Sequence, residues 1–91
     1  MTDDDLNGQI AALLAQSRSA HEQYRQAVRH HPPDVAAARA ALESAAALRQ
    51  QAHDLDVFQV HRAWSDEHLS TKFRHSDVMA FYAKELAKLN A

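Results

Sequence analysis

The fold is decided by RHHPPD, residues 29–34, a short stretch that separates two long segments rich in alanine. Its two consecutive prolines are the only ones in the chain. Proline has no backbone N–H and clashes with the preceding helical turn, so a helix that arrives here must stop. His30 and His31 suit the negative end of that helix, and Pro33 followed by Asp34 is typical of the first turn of a new one. A connection this short predicts two antiparallel helices.

The segment before this stretch predicts one long amphipathic helix from about Asp3 to His30. Thr2 or Asp3 can cap it, and the aspartates of its first turn suit the positive end of the helix dipole. Its apolar positions follow steps of three and four residues, the spacing of a coiled-coil-like seam. These positions are Leu6, Ile10, Leu13, Ser17, Ala20, Tyr24 and Ala27. Ser17 is the one polar residue in this stripe.

The segment after the prolines predicts a second helix that runs to about Leu55. Its apolar stripe consists of Val35, Ala38, Leu42, Ala45, Leu48, Ala52 and Leu55. Small side chains let two helices approach closely, near the short end of the usual separation of ~8–10 Å. The two segments together therefore predict a long, tightly packed antiparallel helical hairpin.

The apolar pattern changes phase after Leu55, which predicts a bend at residues 54–56. Asp56 is expected to cap a new short helix, with Gln59 three residues later as its capping-box partner. This helix is expected to end at about Trp64. A straight continuation of the second helix to residue 64 is the alternative interpretation.

Serines divide the remainder of the chain. Ser65 is expected to begin another short helix within residues 65–75. Ser76 and Asp77 are expected to begin a last helix that runs to about Leu89, since both residue types are favoured helix caps.

Aromatic side chains are concentrated in the middle of the chain, at Phe58, Trp64 and Phe73. We expect them to close the open end of the helical hairpin. The alternative is an exposed aromatic anchor for a partner, because tryptophan is common among the residues that dominate protein interfaces.

Composition indicates a single all-α domain over residues 1–91, a three- to four-helix bundle built on the hairpin. The chain has one glycine and nineteen alanines, and so few helix-breaking residues favour helices throughout. A domain of this length buries only ~60–65% of the surface that its unfolded chain exposes. Disulfides, metals or oligomerisation commonly compensate for a small core. The chain has no cysteine, so oligomerisation is favoured.

Charge and hydropathy argue against several partners. The formal net charge is −2, whereas free-standing nucleic-acid binders are usually basic, so no nucleic acid is expected. No apolar run reaches the ~18 residues needed to cross a membrane. The first residues lack the layout of a signal peptide, which together with the absence of cysteine predicts a cytoplasmic protein. The many alanines, and more arginine than lysine, indicate a GC-rich bacterial genome.

Three of the seven histidines, His61, His68 and His75, follow one another at intervals of seven residues. Metal ligands on one helix normally lie three or four residues apart, because a seven-residue step advances a helix by ~10.5 Å. The expected caps at Ser65 and Ser76 also place the three on different helices. They stay candidate metal ligands only in combination with other histidines, and we interpret them as solvent-facing or hydrogen-bonding residues.

No motif for catalysis or for a cofactor is apparent. With one glycine the chain has no glycine-rich phosphate loop. It also lacks the Glu-x-x-His pairs of helical di-metal proteins, and no Ser/His/Asp arrangement stands out. We therefore expect no cofactor and no enzymatic activity.

The leading hypothesis is a small helical protein–protein interaction module that forms a homodimer or binds another helical protein. The expected interface residues are Leu6, Ile10, Leu13, Tyr24, Leu42 and Trp64. One alternative is a metal-binding or pH-sensing protein, because protonation of all seven histidines would take the formal charge from −2 to +5. A further alternative is an accessory or regulatory subunit of an enzyme, which the sequence does not separate from the leading hypothesis.

Overall fold

The computed structural model describes residues 2–91 and shows four α-helices, with no β-strand among those residues. The helices are α1 (Asp3–Arg29), α2 (Val35–Leu55), α3 (Arg62–Thr71) and α4 (His75–Leu89). α1 and α2 pack against each other along most of their length. The predicted all-α class and the helical hairpin are confirmed.

Capping explains both ends of the hairpin. Asp5 donates its backbone N–H to Thr2 Oγ1 at 3.2 Å, and its carboxylate accepts from the backbone N–H of Thr2. At the start of α2, Asp34 Oδ1 accepts from the backbone N–H of Ala37 at 3.1 Å. Asp34 is therefore the N-cap, and the prediction that Pro33 lies in the first helical turn is wrong: that proline precedes the cap.

The predicted short helix from Asp56 to about Trp64 is wrong, and so is the alternative of a straight α2 up to residue 64. α2 ends at Leu55, and residues 56–61 form a turn before α3 begins. Asp56 Oδ2 accepts from His61 twice, from the backbone N–H at 2.9 Å and from Nδ1 at 2.7 Å. These hydrogen bonds join residues five positions apart and close a six-residue turn, whereas an N-cap would bond two or three residues ahead.

The connection between α3 and α4 also differs from the prediction. Ser65 lies inside α3 and does not begin a helix. Lys72 ends α3 in the left-handed conformation, with φ 62° and its backbone N–H donated to His68 O at 2.8 Å. α4 begins one residue before the expected Ser76, and Asp77 accepts from the backbone N–H of Arg74 at 3.3 Å.

Two apolar clusters form the core. One joins α1, α2 and α4 and contains Ala20, Tyr24, Ala27, Ala38, Ala41, Leu42, Ala45 and Tyr82. The other joins α1, α2 and α3 and contains Ile10, Leu14, Ala52, Ala63 and Trp64. The backbone of α4 approaches that of α2, and the backbone of α3 approaches that of α1, whereas within residues 2–91 α3 and α4 meet only through side chains such as Trp64 and His75.

Of the three aromatic residues expected to close the hairpin, only Trp64 does so. Trp64 is fully buried in the second cluster, whereas Phe58 and Phe73 are exposed. The difference follows from the turn at residues 56–61, which carries Phe58 away from the hairpin before α3 begins.

The close contact between α1 and α2 yields a test at Ala45, which is fully buried between them. We expect Ala45→Leu to lower the free energy of unfolding by about 1–3 kcal/mol, because extra methylene groups overpack the interface. Ala47→Leu, at an exposed position of the same helix, should change it by less than about 0.5 kcal/mol. Urea unfolding followed by circular dichroism measures both, and equal effects would contradict the close packing.

Candidate functional site

A polar layer separates the two apolar clusters. At its centre, Arg49 Nη1 of α2 donates to Glu67 Oε1 of α3 at 2.9 Å, and the two side chains are only 2% and 1% exposed. Arg18 of α1 binds the other carboxylate oxygen through Nη1. One carboxylate thus holds three helices together.

Two further contacts surround this ion pair. Ser17, the polar residue of the α1 stripe, is buried and donates its hydroxyl to Ala45 O at 2.7 Å. The guanidinium of Arg49 lies 5.7 Å from the centre of the Trp64 ring, within the range of a cation–π interaction. Nε and Nη2 of Arg49 are buried and have no hydrogen-bond partner within residues 2–91. Arg18 and Arg49 together carry two positive charges, and the single negative charge of Glu67 neutralises one of them.

A cleft of about 630 Å³ opens beside the polar layer, between α1, α3 and α4. Five of the residues that line it have aromatic rings: His21, Tyr24, Phe73, Phe81 and Tyr82. Arg18, Arg25, Glu67, Thr71, Asp77 and Val78 complete the lining.

Hydrogen bonds fix the aromatic wall of this cleft. His21 Nδ1 and the Tyr82 hydroxyl lie 3.0 Å apart, and the Tyr24 hydroxyl donates to Glu85 Oε2 at 3.1 Å. The rings of His21 and Phe81 are nearly parallel, with centres 5.7 Å apart. Burial lowers the pKa of His21, and the neighbouring Arg25 lowers it further. His21 is therefore neutral at pH 7 and can offer a ring face.

A cluster of histidines surrounds Trp64 where α2, α3 and α4 meet. The rings of His53 and His75 are stacked with centres 4.4 Å apart, and the Trp64 ring meets His75 edge-on at 5.5 Å. His68 lies on another side of Trp64. Burial, then the neighbouring His53 and Arg49, lower the pKa of His75 to about 4. Both stacked rings have a buried Nδ1 without a hydrogen-bond partner in residues 2–91.

The three histidines spaced seven residues apart, interpreted above as solvent-facing or hydrogen-bonding, occupy different environments. His61 precedes α3 and is bonded to Asp56, whereas His68 and His75 contact Trp64. Within the described part of the chain, no group of three or more His, Cys, Asp or Glu side chains is arranged to hold a metal ion.

The residues expected at an interface contribute to the core of the chain itself. Ile10, Leu42 and Trp64 are fully buried, and Tyr24 is nearly so. Leu6 and Leu13 are half-buried against the second apolar cluster. A partner would reach most of these side chains only if the helices separated.

A different apolar surface, called here the turn surface, is formed by Val57, Phe58 and Val60; the sequence analysis named Phe58 as an alternative exposed anchor but did not identify the two valines. These side chains are 58%, 87% and 76% exposed. They lie on the turn that Asp56 and His61 close. The signal in the sequence was a group of large apolar residues that fits no helical stripe.

Comparison with known proteins finds no family model, curated protein or solved structure that matches the chain. Among the helices of residues 2–91, none combines the length and apolar character needed to cross a lipid bilayer. The features of the chain that bear on its function are therefore the polar layer, the cleft and the turn surface.

The ion pair predicts a large effect of Glu67→Gln. We expect it to lower the free energy of unfolding by about 3–5 kcal/mol, because it leaves the buried Arg49 without a counter-charge. Glu43→Gln, at an exposed position of α2, is the matched control and should change stability by less than about 0.5 kcal/mol. Chemical unfolding at pH 7 measures both variants.

A double variant separates the ion pair from the packing around it. Arg49→Met with Glu67→Leu removes both buried charges and keeps similar volume, so it should recover most of the stability lost in Glu67→Gln. A double variant as unstable as the single one would contradict this account of the polar layer.

Proposed function

We propose that the protein is a helical interaction module that self-associates through the turn surface. The observation that carries the proposal is Phe58, a large aromatic side chain 87% exposed between two exposed valines. Large exposed apolar side chains grouped on one short turn are candidates for a binding site. Aromatic residues supply much of the binding energy at interfaces.

The turn is also held in one conformation, which supports binding. Gln59 has φ 54° and donates its backbone N–H to Asp56 O at 3.0 Å. Burial would raise the pKa of Asp56, but hydrogen bonds from His61 and Val60 outweigh burial and lower it. The carboxylate that closes the turn is thus ionised at neutral pH. A surface fixed before binding loses less conformational entropy when a partner docks.

The small net charge of the chain is compatible with self-association. The formal net charge is only −2, so two copies repel each other weakly. In this proposal the α1 stripe stabilises each protomer, and the turn surface forms the contact. A cytoplasmic location in a bacterium belongs to the same proposal, and the cysteine-free, arginine- and alanine-rich composition supports it.

Sedimentation equilibrium tests the interface directly. Phe58→Ser and Val60→Ser should each shift the protein toward monomer, weakening the dimer about tenfold or more for the phenylalanine. Both side chains are exposed, so neither variant should alter the fold. Val35→Ser is the matched control, because this exposed valine lies at the opposite end of α2, ~30 Å from the turn.

Two outcomes would overturn the proposal. One is a wild-type protein that stays monomeric at roughly millimolar concentration, the weakest range of specific association. The other is a dimer that Val35→Ser weakens as much as Val60→Ser does.

The stacked histidines favour a second candidate function, a response to acid. Protonation of His75 would place a positive charge on a ring whose centre lies 4.4 Å from that of His53. The charged and titratable groups around these two histidines are Arg49 and Asp54 of α2, His68 and Glu67 of α3 and Arg74 beside α4. Arg49 opposes a positive charge on His75 and Asp54 favours one, and such a charge is also unfavourable at the N-terminus of α4. Acid would therefore loosen the contact of α4 with α2.

The pH dependence follows from the lowered pKa of His75. Its ordinary pKa is 6.5, and in the folded protein it is about 4. The unfolded chain therefore binds a proton that the folded protein does not, and stability falls as pH decreases from 6.5 to 4, by up to about 2–3 kcal/mol. Melting temperatures over this range measure the effect.

Substitution isolates the histidine responsible for this fall. His75→Phe keeps a ring against Trp64 and should make the fall in stability smaller, while His31→Phe, at an exposed turn position, should leave it unchanged. A wild-type melting temperature that is constant over this range, or an equal fall in His75→Phe, would eliminate the acid response.

A further inference from the structure

We propose that the cleft between α1, α3 and α4 binds a small molecule that combines an aromatic ring with a carboxylate. This inference does not depend on self-association. It comes from the shape of the cleft, its aromatic walls and the two arginines beside it.

The cleft exists because α3 and α4 are held by different helices of the hairpin. The left-handed Lys72 ends α3, and the chain then departs from α1 to pack α4 on α2. α4 lies antiparallel to α2, since His75 stacks on His53 and Arg39 Nε donates to Asn90 Oδ1 at 2.8 Å. The space left between α3 and α4 is about 630 Å³, within the range of small-molecule sites.

The walls favour a flat aromatic ring. Phe81, 39% exposed, stacks nearly parallel on His21 with ring centres 5.7 Å apart, and Phe73, more than half exposed, also lines the cleft. The hydroxyl of Tyr82 is already bonded to His21, and that of Tyr24 to Glu85. These walls therefore offer ring faces and edges, and aromatic pairs gain from offset or edge-to-face contact.

The polar groups favour a carboxylate. The side chains of Arg18 and Arg25 are 48% and 56% exposed, and both line the cleft. Glu67 already accepts from the buried Arg49, so it neutralises Arg18 only in part. Within residues 2–91, Arg18 bonds through Nη1, which leaves Nε and Nη2 for a second carboxylate. Arg25 has a loose ion pair with Glu22 at 3.7 Å.

The remaining acidic group does not cancel this preference. Asp77 also lines the cleft, but its Oδ2 accepts from the backbone N–H of Arg74 at the start of α4. Arginine guanidinium groups bind carboxylates through paired hydrogen bonds, which adds geometric specificity to the charge attraction.

The cleft is separate from the turn surface. Val60 lies beside Asn7 at the start of α1, whereas the cleft surrounds His21. Fourteen residues of helix place these positions ~21 Å apart. Binding in the cleft and self-association through the turn can therefore succeed or fail independently.

The experiment titrates naphthoate into the isotope-labelled full chain and follows backbone amide signals by NMR. We expect saturable shifts at residues 18–25 and 77–82, with residues 57–60 unaffected. Naphthamide has the same rings without the charge, and it should bind about tenfold more weakly. Equal binding of the acid and the amide would overturn the carboxylate preference, and shifts that do not saturate would overturn the site.

Two variants test whether Arg25 binds the carboxylate of naphthoate in the cleft. Arg25→Gln should weaken naphthoate binding up to about fivefold, the range of a partly exposed ion pair. Arg29→Gln, one turn further along α1 and outside the cleft, should leave binding unchanged. Arg18 is kept intact in this experiment because Glu67 depends on it. Equal effects of the two variants would overturn the assignment of the charge to this cleft.

Discussion

The buried ion pair between Arg49 and Glu67 determines how α3 sits on the hairpin. α3 contributes only Ala63 and Trp64 to the apolar core, too little to fix a helix of ten residues by burial alone. Desolvating two charges is costly unless their geometry is good, so the pair tolerates few positions of α3. Arg18 closes the same network from α1. Apolar contact holds α3 to the hairpin, and the ion pair fixes where along the hairpin it lies.

Both candidate binding surfaces follow from this placement of α3. With Glu67 fixed at the polar layer, the first turn of α3 must lie near the start of α1, where Asn7 Oδ1 accepts from the backbone N–H of Ala63 at 2.9 Å. Residues 56–61 are more than a direct connection between α2 and α3 needs. They form a turn that carries the Phe58 side chain into solvent. At the other end of α3, the turn at Lys72 directs the chain toward α2 and leaves the cleft open.

The hairpin was predictable because its determinants are local. A pair of prolines and two regular apolar stripes need no knowledge of tertiary contacts. The turn at residues 56–61 was not predictable from local sequence, because Asp56 is as favourable for an N-cap as for a longer turn. Only the position of α3 decides between the two. The buried ion pair was missed because charged residues are rarely buried. A signal was present: Arg49 lies in register with Leu42, Ala45 and Ala52, all buried positions of α2.

Alanine at half of the buried positions of α1 and α2 explains where the aromatic residues are found. Close approach of α1 and α2 leaves little volume between them, so large rings fit only at the ends and edges of the hairpin. Trp64 fills one such end, and Tyr24 and Tyr82 fill an edge. Phe58 and Phe73 flank α3 and exceed the space that remains, so they lie on the surface. The narrow core therefore leaves large apolar side chains on the surface next to α3, the helix that the Arg49–Glu67 pair holds in place.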